Sequence, residues 1–341
     1  MTGADSADNS GTGREEKNRM QEKENTEVIK KNYDEAPERE WERTNQTIEF
    51  LITARMLERT IRSGEKILDI GGGPGQYSLW LAGKGCQVTL FDLSSGNIGY
   101  AQRKAEERGL PLKTICGNAM DKGLYPEEKF DHVLVMGPMY HVFQEEDRRK
   151  VIENALSVLK PGGKIYVAFI NLLAGALYYL DEGPEGLAEE MKLGNEYGEC
   201  LLENRSWKGA AFTDARFDAL PEICYFMDSF GLRQVTMFGQ ERFLASNLTK
   251  IEVLEEPHRS LWIDFAARTC ERPEYLAMSS HIMYVGERKN SAGIMGAAGV
   301  DGAAAGRVSG SKIFSCKTSG FSARVHGQNG FQDFFPAAVS L

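Results

Sequence analysis

The sequence predicts an α/β fold: a doubly wound, mainly parallel seven-stranded sheet with an α-rich cap inserted after the fifth strand. Three observations carry this. Between residues 66 and 170, short apolar runs alternate with segments of helical period, which is the pattern of βαβ units in a sheet covered on both faces. The first apolar run ends in a glycine-rich turn, Asp69-Ile70-Gly71-Gly72-Gly73-Pro74-Gly75. Further on, Lys160-Pro161-Gly162-Gly163 closes an amphipathic helix and opens another apolar run.

The elements follow in order. KILDIG (66–71) is the first strand, and QYSLWLAGKG (76–85) is a helix with a glycine stop. QVTLFDL (87–93) is the second strand, followed by SGNIGYAQRKAEERG (95–109), a helix with its charges on one face. LKTICGNA (112–119) and DHVLVMG (131–137) are the third and fourth strands. EEDRRKVIENALSVLKPGG (145–163) is the amphipathic helix and KIYVAFI (164–170) the fifth strand. RQVTMFGQ (233–240) and SHIMYVGE (280–287) complete the sheet, with helices near 245–269 between them. Residues 171–232 break the rhythm with Gly183-Pro184, several acids and the aromatics Tyr178, Tyr179, Tyr197, Trp207, Phe212 and Phe217. Chain inserted after the carboxyl end of a strand lies over the ligand crevice of an open α/β sheet, so this segment reads as a cap.

Composition sets the outer bounds. The 341 residues, 42% hydrophobic and 26% charged, can bury a sizeable core and are too apolar for a wholly disordered chain. There is no run of roughly 18 apolar residues to cross a membrane. The net charge of −9 argues against a broad grip on nucleic-acid phosphates. Six scattered cysteines without a C-x-x-C pair point away from a disulfide framework or structural zinc, and toward a reducing cytoplasm. The N-terminus lacks the apolar core of a signal peptide. Residues 1–32 read as a flexible charged arm, and 290–341 as a disordered Gly/Ala/Ser-rich tail carrying Phe314, Phe321, Phe331, Phe334 and Phe335. One domain, 33–289, remains between them.

The chemistry concentrates at the glycine turn. Gly71, Gly73 and Gly75 let the backbone approach a ligand, and Asp92, ending the second strand, is placed to accept hydrogen bonds from ribose hydroxyls. A dinucleotide loop reads G-x-G-x-x-G; here the spacing is G-x-G-x-G, and Gln76 stands where the last glycine would fall. Asp69, two residues before the first glycine, suits a ligand bearing an ammonium and a sulfonium better than a pyrophosphate. S-adenosylmethionine is such a ligand.

The stretch resembles motif I of the class I S-adenosylmethionine-dependent methyltransferases that act on small molecules. VTLFDLS resembles motif II, GNAMD (117–121) the adenine turn and FDHVLVMGPMYHV (130–142) motif IV, with LKPGGKIYVAFI (159–170) after it. NYDEAPEREWERTNQTIEF (32–50) resembles the entry segment, in which a Tyr and an Arg fold over the methionine end of the cofactor. The resemblance implies a Rossmann-like methyltransferase fold and S-adenosyl-L-methionine as cofactor. It assigns cofactor contacts to Tyr33, Arg43, Asp69, Gly71, Gly73, Gly75, Tyr77, Asp92, Leu93, Asn118, Ala119, Met120, Met136 and Gly137. Tyr140 and His141, after the fourth strand, are the catalytic candidates, with His141 as general base.

Each assignment has a structural alternative. Asp69 could cap the loop, Asn118 could be an ordinary turn residue, Tyr77 could simply pack, and His141 could cap the following helix. His132 reads as structural, and His281 takes no role. The N/D-P-P-Y/F run of base-methylating enzymes is replaced here by MGPMYH. Arg148, Arg149 and Lys150 read as a solvated helix face, so a nucleic-acid partner is not expected. A metal site would need clustered acids that the sequence does not assemble, and Cys200 and Cys224 are too few for arsenite chemistry. The expected partner is a small-molecule methyl acceptor, with no nucleic acid and no membrane. Competing readings are an NAD(P)-dependent oxidoreductase and a non-catalytic S-adenosylmethionine-binding protein.

Overall fold

The computed structural model describes residues 26–289, apart from 193, 212–213, 242–243 and 245–247. The chain divides into two units, Met1–Ile294 and Met295–Leu341, and every described residue belongs to the first. The arm before residue 26, the tail from 290 with its five phenylalanines, and Phe212 lie outside the described residues.

Two helices enter first, α1 over 26–35 and α2 (Pro37–Thr44), followed by α3 (Ile48–Glu58), whose N-cap Thr47 accepts from the Phe50 amide. Residues 26–32, whose composition suits a mobile arm or a marginal helix, are helical: Ile29 is buried, and Asp34 fastens the helix down. The Asp34 carboxylate accepts from Ser94 Oγ (2.7 Å) and the Gly96 amide (2.9 Å). A Cβ on Gly96 would lie 2.6 Å from the Asp34 carbonyl oxygen, so only glycine admits this approach.

The sheet starts with β1 (Lys66–Ile70), α4 (Gln76–Gly83), β2 (Gln87–Asp92), α5 (Ser95–Glu107) and β3 (Lys113–Cys116). β4 (Phe130–Val135), α6 (Glu145–Val158) and β5 (Leu159–Ile170) continue it on the other side of β1. β1 is buried along nearly its whole length, as a parallel strand covered on both faces must be. Its register sets Ile67 opposite Val88 on β2 and His132 on β4. The chain winds one way from β1 to β3 and the other way from β4, so the switch point of the sheet lies at the carboxyl ends of β1 and β4.

β5 begins five residues earlier than the apolar run predicts. Gly162, at φ +75°, turns the chain so that its amide bonds the Arg288 carbonyl (2.8 Å), and Arg288 returns a bond to Gly163 (2.9 Å). The turn is thereby drawn into the sheet.

After β5 come α7 (Leu173–Glu182), α8 (Pro184–Lys192), α9 (Glu196–Glu203) and an antiparallel hairpin, β6 (Trp207–Ala210) and β7 (Asp214–Phe217). These have a small core of their own, with Leu172, Tyr197, Cys200, Ala215 and Phe217 buried and Tyr140 packed against it. The next helix, α10 (Leu220–Asp228), was expected in the cap but belongs to the sheet. Its Ile223, Phe226 and Met227 are buried with Val151, Phe169 and Met237. Apolar residues three and four apart force that face inward.

Arg148 is likewise not on a solvated face. It is 2% exposed, paired bidentately with Asp218 at 2.8 and 3.1 Å, and stacked over Phe169 and Phe226.

β8 (Arg233–Gly239), α11 (Leu248–Glu252), α12 (His258–Thr269), α13 (Pro273–Leu276) and β9 (His281–Glu287) complete the fold. β9 inserts antiparallel between β5 and β8, giving the order β3-β2-β1-β4-β5-β9-β8, seven strands and mainly parallel. No described helix is long and apolar enough to cross a membrane.

Candidate functional site

The site grows from the turn after β1. Gly71 has φ +69°, and a Cβ there would lie 2.6 Å from Pro138 Cδ. A Cβ on Gly137, across the gap, would lie 2.7 Å from the Gly71 carbonyl oxygen. The two loops at the switch point therefore touch through glycine on both sides, which opens a cleft above them.

Asp92, at the end of β2, organises the next layer. Its Oδ2 accepts from the Gly73 amide (2.8 Å), and its Oδ1 from the Ser94 amide (2.9 Å) and Asn97 Nδ2 (3.3 Å). Burial raises its pKa, against the lowering effect of these three donors. Beyond β3, Asn118 Oδ1 accepts from the Met120 amide (2.9 Å) and shapes the turn that closes the cleft's far wall.

The cleft, partly open to solvent, brings together Tyr33, Gly71, Gly73, Asp92 and Leu93 with Asn118, Ala119 and Met120. Gly137, Tyr140 and His141 form its other side. Tyr33 reaches down from α1, and its hydroxyl lies 3.1 Å from His141 Nε2.

Five of the expected contacts are not on this lining. Arg43 is exposed and holds Glu40, which is on the lining, with two bonds of 2.9 and 2.5 Å. Asp69 is fully buried beneath the loop, where it accepts from Ser78 Oγ (2.7 Å). Burial pushes the Asp69 carboxyl up to about 6, against Ser78 and with the help of Asp92. Gly75 begins α4 at φ +88°, and a Cβ there would press on Ala101 at 3.0 Å. Tyr77 packs on Phe50, with ring centroids 5.0 Å apart. Met136 packs into the core, while its carbonyl accepts from Tyr140 Oη (2.9 Å).

Other residues on the lining went unmarked in the sequence: Ile29, Lys30, Glu40, Ser94 and Asn97. The Glu40/Arg43 spacing of a helical ion pair was the one local signal for Glu40.

His141 is the most perturbed base in the cleft. Burial pushes it down to about 4, with the Asp214 carbonyl, 3.4 Å from Nδ1, acting in the opposite direction. A neutral ring donating from Nδ1 to that carbonyl leaves Nε2 to accept from Tyr33. The sign follows: stability from the neutral ring is full above the ordinary value of 6.5 and falls away as pH drops toward 4. In a proton-detected histidine titration, the His141 ring resonances should stay constant from pH 8 to about 5.5. A midpoint near the ordinary value would contradict this burial.

Residues 67–163 match the family model for a methyltransferase domain. The chain is 33% identical over 135 residues to the ubiquinone biosynthesis O-methyltransferase of Chromobacterium violaceum, covering 37% of this chain and 57% of that protein. It is 33% identical over 130 residues to the tRNA 5-carboxymethoxyuridine methyltransferase of Escherichia coli K12, covering 35% and 48% respectively. The chain thus spans about half the length of these curated relatives. Among solved structures it is similar to the N-methyltransferase NodS of Bradyrhizobium japonicum in complex with S-adenosyl-L-homocysteine. That match has 14% identity and a TM-score of 0.44, covering 76% of this chain and 100% of that one. Residues 67–163, which hold the glycine loop, Asp92 and the Asn118 turn, thus match a methyltransferase domain.

Proposed function

We propose that the chain is an enzyme that transfers the methyl group of S-adenosylmethionine to a small-molecule acceptor with a hydroxyl or amine. One observation carries this reading: glycine loop, Asp92 and the Asn118 turn converge on a single cleft whose covering residue, Tyr33, is hydrogen-bonded to His141.

The residues present fit the cofactor. On the described lining Glu40 is paired with Arg43 and Lys30 with Asp34, both at 2.5 Å, which leaves the Asp92 carboxylate as the uncompensated charge. A cleft of that charge favours a cationic ligand over a pyrophosphate, which sets aside the nicotinamide reading. When bound, S-adenosylmethionine supplies a methyl group on a sulfonium, which is already a good leaving group.

The protein's work is then orientation. Asp92 receives ribose hydroxyls, the Asn118–Met120 turn receives the adenine edge, and Asp69 and Gly75 hold the loop in shape from beneath. Tyr140 and the cap exclude water from the acceptor. Neutral His141 draws the acceptor's proton by way of Tyr33, whose hydroxyl passes its own proton to Nε2 and takes the acceptor's in exchange. In this reading residues 33–289 form the catalytic domain, with 171–219 as its cap. The enclosing helices and the net charge of −9 support a small acceptor over tRNA.

Calorimetry should show binding of S-adenosylmethionine and S-adenosylhomocysteine, and none of NADH. With a labelled methyl donor, label should enter the small-molecule fraction of a metabolite extract. Binding of NADH alone would overturn the cofactor reading, and label recovered in added tRNA would overturn the acceptor class.

A further inference from the structure

Three metal-ligating side chains from distant parts of the sequence meet at the carboxyl edge of the sheet. Glu49 lies in the first turn of α3, Glu241 follows β8, and His281 opens β9. One donor atom from each lies within 4.8 Å of the other two.

The frame around them is built for position. β9 runs antiparallel to both neighbours, so His281 starts where β5 and β8 end, with Ile170 opposite it. Glu241 Oε2 accepts from the His281 amide (3.0 Å) and from Ser279 Oγ (3.3 Å). Ser279 gets close because Gly239 has no Cβ; one there would lie 2.4 Å from its Oγ. The Glu241 carboxylate also contacts His281 Nδ1, and Glu49 Oε2 lies 3.8 Å from the same nitrogen.

A second observation points to a ligand. Gln240, 2% exposed, sends its Nε2 to Thr53 (3.0 Å) and Glu49 (3.4 Å), and its Oε1 is buried without a hydrogen-bond partner. A buried amide oxygen left unpaired is costly unless a hydrogen-bond donor or a cation meets its lone pairs. It belongs to the amide that abuts the Glu49 carboxylate. Two carboxylates and an imidazole form a mixed oxygen and nitrogen donor set, with the Gln240 amide set against the Glu49 carboxylate. Glu49 and His281 side chains are 29% and 26% exposed, so the cluster is open on one side while Glu241 closes it from below.

We propose that Glu49, Glu241 and His281, with Gln240 beside them, form a binding site for a first-row divalent cation of the Mn²⁺ or Zn²⁺ kind. The donor set excludes the softer thiolate-seeking ions and is poor for Mg²⁺, which prefers oxygen alone. The Glu49 charge reaches the Tyr140 phenol, which is on the cleft lining. The proposal does not depend on the methyl-transfer reading.

Mn²⁺ itself is the probe. Titrated into the full chain, free Mn²⁺ should lose its six-line paramagnetic resonance signal at one ion per chain, and Zn²⁺ should release it. Glu49→Gln, on an accessible helix turn, and His281→Gln should each weaken Mn²⁺ binding by about 10–100-fold. Thermal unfolding confirms that each variant is folded, and S-adenosylmethionine binding should be unchanged in both. If the wild-type protein binds neither Mn²⁺ nor Zn²⁺, or binds them as tightly in both folded variants, the site does not exist and the cluster is an ion pair only.

Discussion

Asp92→Ala is expected to weaken S-adenosylmethionine binding by about a hundredfold or more, measured by calorimetry. The carboxylate has two tasks at one point. It orders Gly73, Ser94 and Asn97 through three hydrogen bonds, and it faces the cleft where ribose hydroxyls would donate. Hydrogen bonds to a charged group are worth about 1.5–3 kcal/mol each, and tenfold in affinity is about 1.4 kcal/mol. Removing the carboxylate leaves buried donors unpaired and frees the loop, so lost contact and lost preorganisation add. Asp92→Asn keeps one acceptor oxygen and should fall between the two. If the alanine variant is folded and binds as tightly as wild type, Asp92 is not a cofactor ligand.

Asp218→Ala is expected to give the largest loss of stability, about 3–5 kcal/mol, because it strands a buried arginine. Arg148 and Asp218 are 2% and 1% exposed, and Asp218 also accepts from Arg216 Nε (2.7 Å). Its backbone ties the hairpin to the sheet: the Asp218 amide donates to the Ile170 carbonyl (2.7 Å), and its carbonyl accepts from the Leu172 amide (2.9 Å). At about 2–4 °C per kcal/mol for a domain of this size, the midpoint of thermal unfolding should drop by roughly 10 °C or more. Pairing the change with Arg148→Met should restore much of the loss, since the uncompensated charge is then gone. An unfolding midpoint within about 2 °C of wild type would show that Arg148 finds water or another partner.

How much was legible follows from distance along the chain. Gly71, Gly73, Asp92, Asn118 and Gly137 are marks on a short, regular βαβ path, and local spacing places them because parallel strands end at one edge. Asp69 and Tyr77 belong to the same motif yet face away. Side chains alternate across a strand and rotate around a helix, so a neighbour in sequence can point to the opposite layer. Arg43 stays off the lining for a related reason: Glu40 lies one helical turn away and captures it. Arg148 looked solvated because its partner lies 70 residues on, beyond any local pattern. The cap boundary was drawn too far because α10 differs from cap helices only in what its apolar face meets.

The sequence by itself determined the seven-stranded α/β architecture, the switch-point cleft and the Gly71, Gly73, Asp92 and Asn118 part of its lining. Apolar period, glycine spacing and strand ends are local properties that repeat wherever such a sheet forms. Only the tertiary structure decided that α1 covers the cleft through Asp34, that Tyr33 meets His141, and that Glu49, Glu241 and His281 converge. These contacts join residues 62, 108 and up to 232 positions apart. No residue carries a mark of such a partner until packing brings the two together, and packing is set by the whole core rather than by any one segment.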